Sequence, residues 1–165
     1  MRRFLALVVL LSSCSFPGED APAPLPDGVG TIVRPVDGDT VVVAIAGAEE
    51  HVRLIGIDTP ESVAQDRPIE CYGVEAKDRA AALLPAGTVV RLERDVEARD
   101  RYDRLLAYVY RDDDDVFINL LLVQEGFAES FPYPPNTAHH GELDRAEAEA
   151  KAADRGLWPV CGGTD

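Results

Sequence analysis

TIVRPVDGDTVVVAIAGAEEHVRLIGI, residues 31–57, is the stretch whose reading decides the fold. Residues 31–36, 40–45 and 51–57 are rich in β-branched side chains, and short polar segments separate them. They read as three consecutive antiparallel strands. Asp37-Gly38 and Gly47-Ala48-Glu49 are the expected turns. Working outward, residues 72–84 are alanine-rich and helix-favouring until Pro85-Ala86-Gly87 stops them. Residues 88–93 and 105–110 return to a strand pattern across a charged, arginine-rich connection. Residues 116–124 read as an apolar helix ending at Gly126. Asn136 or Thr137 is placed to cap a last amphipathic helix that runs to about residue 154. The fold class is therefore α+β and β-rich. Three strands, a helix, two strands and two helices fit a five-stranded Greek-key barrel with about three helices packed outside, of which the OB-fold is the best-known version. Such a fold does not by itself give a function.

The 165 residues carry sixteen Lys+Arg against thirty Asp+Glu, a formal charge of −14. That charge excludes nucleic-acid binding through a broad cationic surface. At 46% hydrophobic and 28% charged, the chain has a globular composition. Its three cysteines are an awkward number for an exported protein. The N-terminus accounts for one of them. Arg2 and Arg3 precede an apolar run over residues 4–11 that is too short for a bilayer, which needs about 20 residues in helix. The run ends in Leu11-Ser12-Ser13-Cys14, which resembles the bacterial lipobox with Cys14 as the lipidated residue. The expectation is a signal peptide over 1–13, a lipidated, proline-rich tether over 14–27 and a folded domain over 28–162. Export would leave the domain anchored to a membrane and facing the periplasm or cell exterior. Loss of Arg2 and Arg3 would leave 14 cations against thirty carboxylates, a charge of −16. Cys71 and Cys161 remain as an even pair, for which a disulfide is the natural reading in an oxidising space. A metal pair is the weaker alternative, since no CxxC or ligand cluster surrounds them.

Three clusters carry the chemistry. Val36-Asp37-Gly38-Asp39-Thr40 reads, taken alone, as a hairpin turn. Arg53-Leu54-Ile55-Gly56-Ile57-Asp58-Thr59-Pro60-Glu61 sets a cation inside an apolar strand, just before two carboxylates. In a continuous strand Arg53 shares a face with Ile55 and Ile57. That is costly unless the charge is paired or lines a site. Asp100-Arg101-Tyr102-Asp103-Arg104-Leu105 puts a second arginine where a strand begins. Carboxylates that hold a hard cation, two guanidiniums and one further carboxylate suit phosphodiester hydrolysis, whose transition state concentrates negative charge.

In this order and spacing the clusters resemble the thermonuclease family of staphylococcal-nuclease-like enzymes, from about residue 30 to 158. The resemblance includes Cys71-Tyr72-Gly73-Val74-Glu75-Ala76, Gln124-Glu125-Gly126-Phe127-Ala128 and Gly156-Leu157-Trp158. It implies an OB-fold that hydrolyses DNA and RNA with Ca²⁺ and leaves 3′-phosphate ends. By motif, Asp39 and Asp58 match the metal carboxylates, and Thr59 a carbonyl ligand. Glu61 matches the residue that deprotonates or orients the attacking water, and Arg53 and Arg104 match the phosphate-binding pair. Tyr133 is the better candidate for base stacking, with Phe131 equally suited to packing; Tyr102 either packs or touches phosphate. Asp103 is a departure, standing where the best-known member has glycine. Two other classes stay open: a non-catalytic OB-fold binder and a structural envelope lipoprotein. The expected assembly is a monomer. Asp112 to Asp115 read as an acidic hairpin turn, His139 and His140 as solvated polar residues, and Trp158 as a core anchor.

Overall fold

A computed structural model describes residues 28–62 and 68–162. The proposed signal segment, Cys14 and the proline-rich tether lie outside the described residues. Strand β1 (Val29–Asp37) runs antiparallel to β2 (Thr40–Ile45), with register irregularities on both sides of Pro35. Proline has no N–H for a ladder, so irregular pairing is what it permits. β2 pairs in turn with β3 (Ala48–Leu54). The turn between them is Ala46-Gly47, one residue earlier than the sequence suggests, and both residues have positive φ (49° and 86°). Paired positive φ values match the right-handed twist of the flanking strands.

The third strand does not continue to Ile57. It ends at Leu54, and Gly56 turns the chain with φ +80°. The positive φ is what calls for glycine here, and a Cβ would also lie 2.7 Å from Leu143 Cδ1 and displace that side chain. Ile55-Gly56-Ile57 reads as a strand because the flanking isoleucines mask that requirement. After the turn, β4 (Ile57–Asp58) pairs with a second two-residue strand, β8 (Glu129–Ser130). The break also separates the two isoleucines. Ile57 joins Val52 and Leu54 in the main core, whereas Ile55 packs with Leu106 and Tyr108 in a smaller cluster.

β5 (Val89–Glu93) pairs antiparallel with β1 and with β6 (Leu105–Arg111). β6 then meets β3 in parallel, Arg53 opposite Leu106, and closes the five-stranded ring β1-β2-β3-β6-β5. This is the expected OB-type barrel. Outside it pack helices α1 (Gly73–Leu83), α2 (Ile118–Gln124) and α3 (His140–Ala152). A single turn, α4 (Trp158–Cys161), follows near the end. Val116 and Phe117 are not the start of α2 but a short strand, β7, paired to Tyr110 and Arg111 across the acidic turn. Asn119 ties α2 to the barrel: fully buried, it accepts from Val109 N at 2.9 Å and donates to Ile55 O at 2.9 Å.

Several sequence expectations change here. Asn136 does not cap α3. It is buried, accepting from Glu97 N at 2.7 Å and donating to Glu97 O at 3.2 Å, and the helix starts at His140 without a side-chain cap. His139 is not a solvated residue. Its ring packs edge-on against Tyr108 and Phe117, and its nitrogens meet Glu93, at 2.8 Å, and Glu142. Leu157, not Trp158, is the buried anchor; Trp158 is half-buried under Lys151 Nζ, 4.2 Å from the ring centre. The acidic turn is as expected, with Arg111 binding Asp114 and Arg91 binding Asp115.

Cys71 and Cys161 form a disulfide across a sequence separation of 90. The chain-entropy description assigns such a loop about 4–5 kcal/mol. Thermal unfolding with and without reductant should therefore differ by on the order of 10 °C. Equal midpoints, or free thiols in oxidised protein, would contradict the bond. His139 gives a second expectation. Burial lowers its pKa, but the hydrogen bonds that the ring donates to Glu93 and Glu142 outweigh burial and raise it above 6.5. Its contribution is thus fully present below 6.5 and is lost as pH rises through the higher folded value. His139→Gln should remove that part of the decline in urea titrations between mildly acidic and alkaline pH.

Candidate functional site

A cavity of about 390 Å³ opens beside the paired strands β3 and β6, with Arg53, Arg101, Tyr102, Arg104, Phe131 and Tyr133 in its wall. Arg53 enters it from β3, where the backbone lies opposite Thr40 on one side and Leu106 on the other. Its side chain is only 16% exposed, so its charge has to be met locally. Nη1 lies 2.6 Å from Asp39 Oδ2, and Nη2 lies 2.8 Å from Asp58 Oδ1. Nη1 also donates to Leu54 O at 3.0 Å. One guanidinium therefore gathers both carboxylates that the sequence singles out.

Those carboxylates reach Arg53 from opposite directions. Asp39 is the second residue of the β1–β2 turn. Its Oδ1 accepts from Thr40 Oγ1 at 2.9 Å, and its backbone carbonyl accepts from Leu54 N at 2.8 Å. Asp37 makes the hairpin turn itself: its Oδ1 accepts from Gly38 N at 2.9 Å and from Ser62 Oγ at 2.8 Å. The Ser62 bond pins the far end of the Asp58-Thr59-Pro60-Glu61 segment to the same turn. Asp58 arrives because the chain reverses at Gly56. Thr59 is buried at 3% exposure, behind Gly38.

Burial pushes the Asp58 carboxyl up from its ordinary value. Arg53 opposes this, and the nearby carboxylates of Asp39, Glu70 and Glu129 reinforce it. Negative charge thus exceeds what one guanidinium balances. Among the described residues no three or more His, Cys, Asp and Glu side chains form a preformed metal cage. The donors are nevertheless all oxygen: two convergent carboxylates with the buried Thr59 beside them. They fit a hard cation that keeps part of its water, and a cation there would relieve the crowding at Asp58.

Glu61 is held through its backbone. Its N–H donates to Glu70 Oε2 at 2.8 Å, and its carbonyl accepts from Glu70 N at 3.0 Å. Gly73, which opens α1, must be glycine here, because a Cβ would lie 2.5 Å from that carbonyl oxygen. Arg104 precedes β6. Its Nε lies 2.7 Å from Asp100 Oδ2, and its backbone N donates to Asp100 Oδ1 at 2.9 Å. Burial alone would raise the Asp100 carboxyl. The bonds from Arg104, and one from Tyr102 N, hold it below its usual value.

Tyr102 does not pack inward. It is 65% exposed, its ring faces the guanidinium carbons of Arg101 at 4.7 Å and Arg104 at 5.6 Å, and its hydroxyl accepts from Arg101 at 2.6 Å. Phe131 is half-exposed on the cavity wall, whereas Tyr133 also packs on Ile55, Leu106 and Tyr108. Sequence reasoning did not find Asp100, Glu70 or the Asp37–Ser62 bond. Asp100 lies within the third cluster, four residues before Arg104. Two acidic residues around an arginine gave a signal, but not which of them turns inward.

Residues 51–160 match the family described as Staphylococcal nuclease homologue. The chain is 39% identical to a thermonuclease of Staphylococcus intermedius over 77% of its own length and 74% of that protein. It is 36% identical to a thermonuclease of Staphylococcus hyicus, over 77% and 73% respectively. With the endonuclease YncB of Bacillus subtilis (strain 168), 37% identity extends over 80% of this chain and 62% of the relative. Taken with the closed barrel and the convergence of Asp39 and Asp58 on Arg53, these likenesses place the chain in the staphylococcal nuclease family.

Proposed function

We propose that this phosphodiester-cleaving hydrolase is a Ca²⁺-dependent nuclease that attacks DNA or RNA and leaves 3′-phosphate ends. The observation that carries the reading is the ion triad in which Arg53 bridges Asp39 and Asp58 on the wall of a cavity that Arg104 also lines. Asp39, Asp58 and the Thr59 carbonyl would hold the calcium ion, which supplies positive charge against the anionic phosphate when bound. Arg53 and Arg104 bind the phosphate oxygens and favour the greater charge of the transition state. Both are held beside the cavity by carboxylates, which Arg53 would release in turning to the phosphate. Glu61 receives a proton from the attacking water or orients it, and the leaving 5′ oxygen departs on the opposite side. Tyr102 and Tyr133 offer ring faces to a nucleotide, a contact that tolerates any base.

The domain, residues 28–162, would act as a monomer, exported and tethered to a membrane through a lipid on Cys14. The disulfide supports an oxidising location.

The test is cleavage of single-stranded DNA in Ca²⁺ and in chelator, by protein shown to be folded with its disulfide closed. Cutting should require calcium. A folded protein that binds DNA without cutting it under either condition would be a non-catalytic OB-fold module instead. Arg53→Ala, Glu61→Ala and Arg104→Ala should each lower turnover by about 10²–10³-fold. Circular dichroism should stay at the parent spectrum. Parent rates in any two of them would mean that the roles are misassigned. Asp39→Asn and Asp58→Asn should each weaken calcium binding measured by calorimetry, independently of catalysis.

A further inference from the structure

The turn that delivers Arg104 contains a residue that ought to harm it. Asp103 occupies the left-handed region with φ +66°, directly before Arg104. Aspartate tolerates that conformation better than most residues, but glycine does so without cost. Unlike glycine, Asp103 also brings a carboxylate, 88% exposed, to within one residue of the guanidinium that must receive a phosphate. A free anion there would repel the substrate and compete for Arg104.

The structure shows where that carboxylate goes. Arg99 Nη1 lies 3.6 Å from Asp103 Oδ1 and donates to the Asp103 backbone carbonyl at 2.7 Å. The same guanidinium is fixed from behind by a two-pronged pair with Glu50 on β3, at 3.0 and 2.9 Å. Those bonds hold the Glu50 carboxyl below its ordinary range. The backbone adds a bridge between Arg99 and Leu105, and Asp100 N donates to Arg104 O at 3.0 Å. Arg99 thus spans the turn 100–103 at its base and is anchored to a barrel strand.

We propose that Arg99 is a positioning residue for Arg104: tied to Glu50, it holds the Asp103 carbonyl and draws the Asp103 carboxylate away from the phosphate-binding guanidinium. The inference rests on the reading of Arg104 as a phosphate ligand. Arg99 touches neither substrate nor metal; it acts through Asp103. Because the pair is largely at the surface, its share in folding stability is small. A catalytic effect can therefore be separated from a folding effect.

The experiment is a double-mutant cycle on the disulfide-closed protein, with single-stranded DNA and Ca²⁺ at low and high salt. Arg99→Ala should lower kcat/KM by roughly tenfold at low salt and by less at high salt. Its melting temperature should stay within about 2 °C of the parent. Asp103→Gly should cut at or above the parent rate. In the Asp103→Gly background, Arg99→Ala should cost less than about twofold, because nothing remains to be drawn away. Glu50→Gln, which loosens Arg99 without removing its charge, should give a smaller loss that also vanishes beside Asp103→Gly. The proposal is overturned if Arg99→Ala has no effect, if its cost is the same in both backgrounds, or if Asp103→Gly is slower than the parent. Arg104→Ala is the separate control: parent rates there would sink the phosphate-ligand reading, whatever the cycle gives.

Discussion

The arrangement depends on a largely covered cation in a closing strand. Arg53 lies in β3, which pairs with β2 on one side and with β6 on the other, so its backbone is fixed while its side chain, 16% exposed, reaches the cavity wall. A guanidinium so covered is best tolerated with carboxylates against it. Asp39 and Asp58 meet the need at 2.6 and 2.8 Å. To supply them the chain must turn tightly before β2 and reverse at Gly56 after β3. The two features that look like loop detail, the Asp37 turn and the glycine break, are thus requirements of one charge.

The same constraint explains why site and fold are hard to separate in this protein. Asp37 holds its own hairpin and, through Ser62, the segment that carries Asp58, Thr59 and Glu61. Asn119, in α2, bonds the carbonyl of Ile55 at the break. Arg79 and Glu125 join α1 to the end of α2 through a two-pronged pair at 2.6 Å, and Cys71 and Cys161 join the approach to α1 with the C-terminal turn. Of these, the Asn119 and Ser62 bonds brace the segment that follows Arg53, as preorganised chemistry requires.

Much of this was legible in the sequence, where short-range pattern determines the outcome. The barrel strands were readable because β-branched runs alternate with turn residues, and the meeting of Asp39 and Asp58 with Arg53 because all three lie in short contiguous motifs. What escaped depends on partners distant in the chain. β4 and β8 have two residues each and exist only because they find one another. Val116 and Phe117 continue the apolar pattern of α2, yet Tyr110 and Arg111 claim them as a strand. Asn136 has the chemistry of a cap, but the backbone of Glu97, far from it in sequence, takes both ends of its amide. His139 seemed a surface residue for the same reason: Glu93 and the rings that enclose it lie on other elements.

The net charge of −14 gains meaning from where the cations sit. Arg79, Arg91 and Arg111 are paired with Glu125, Asp115 and Asp114, away from the cavity. The cavity has Arg53, Arg101 and Arg104, but Asp39, Asp58 and Asp100 stand against them and Glu70 and Glu129 lie near Asp58, so the site has no cationic excess. An acidic protein whose cavity has no cationic excess has little to attract a polyanion at long range. A divalent cation held by Asp39 and Asp58 would change the sign of that balance and free Arg53 to turn from its carboxylates toward a phosphate. Under the proposed function, that cation would serve grip as much as chemistry.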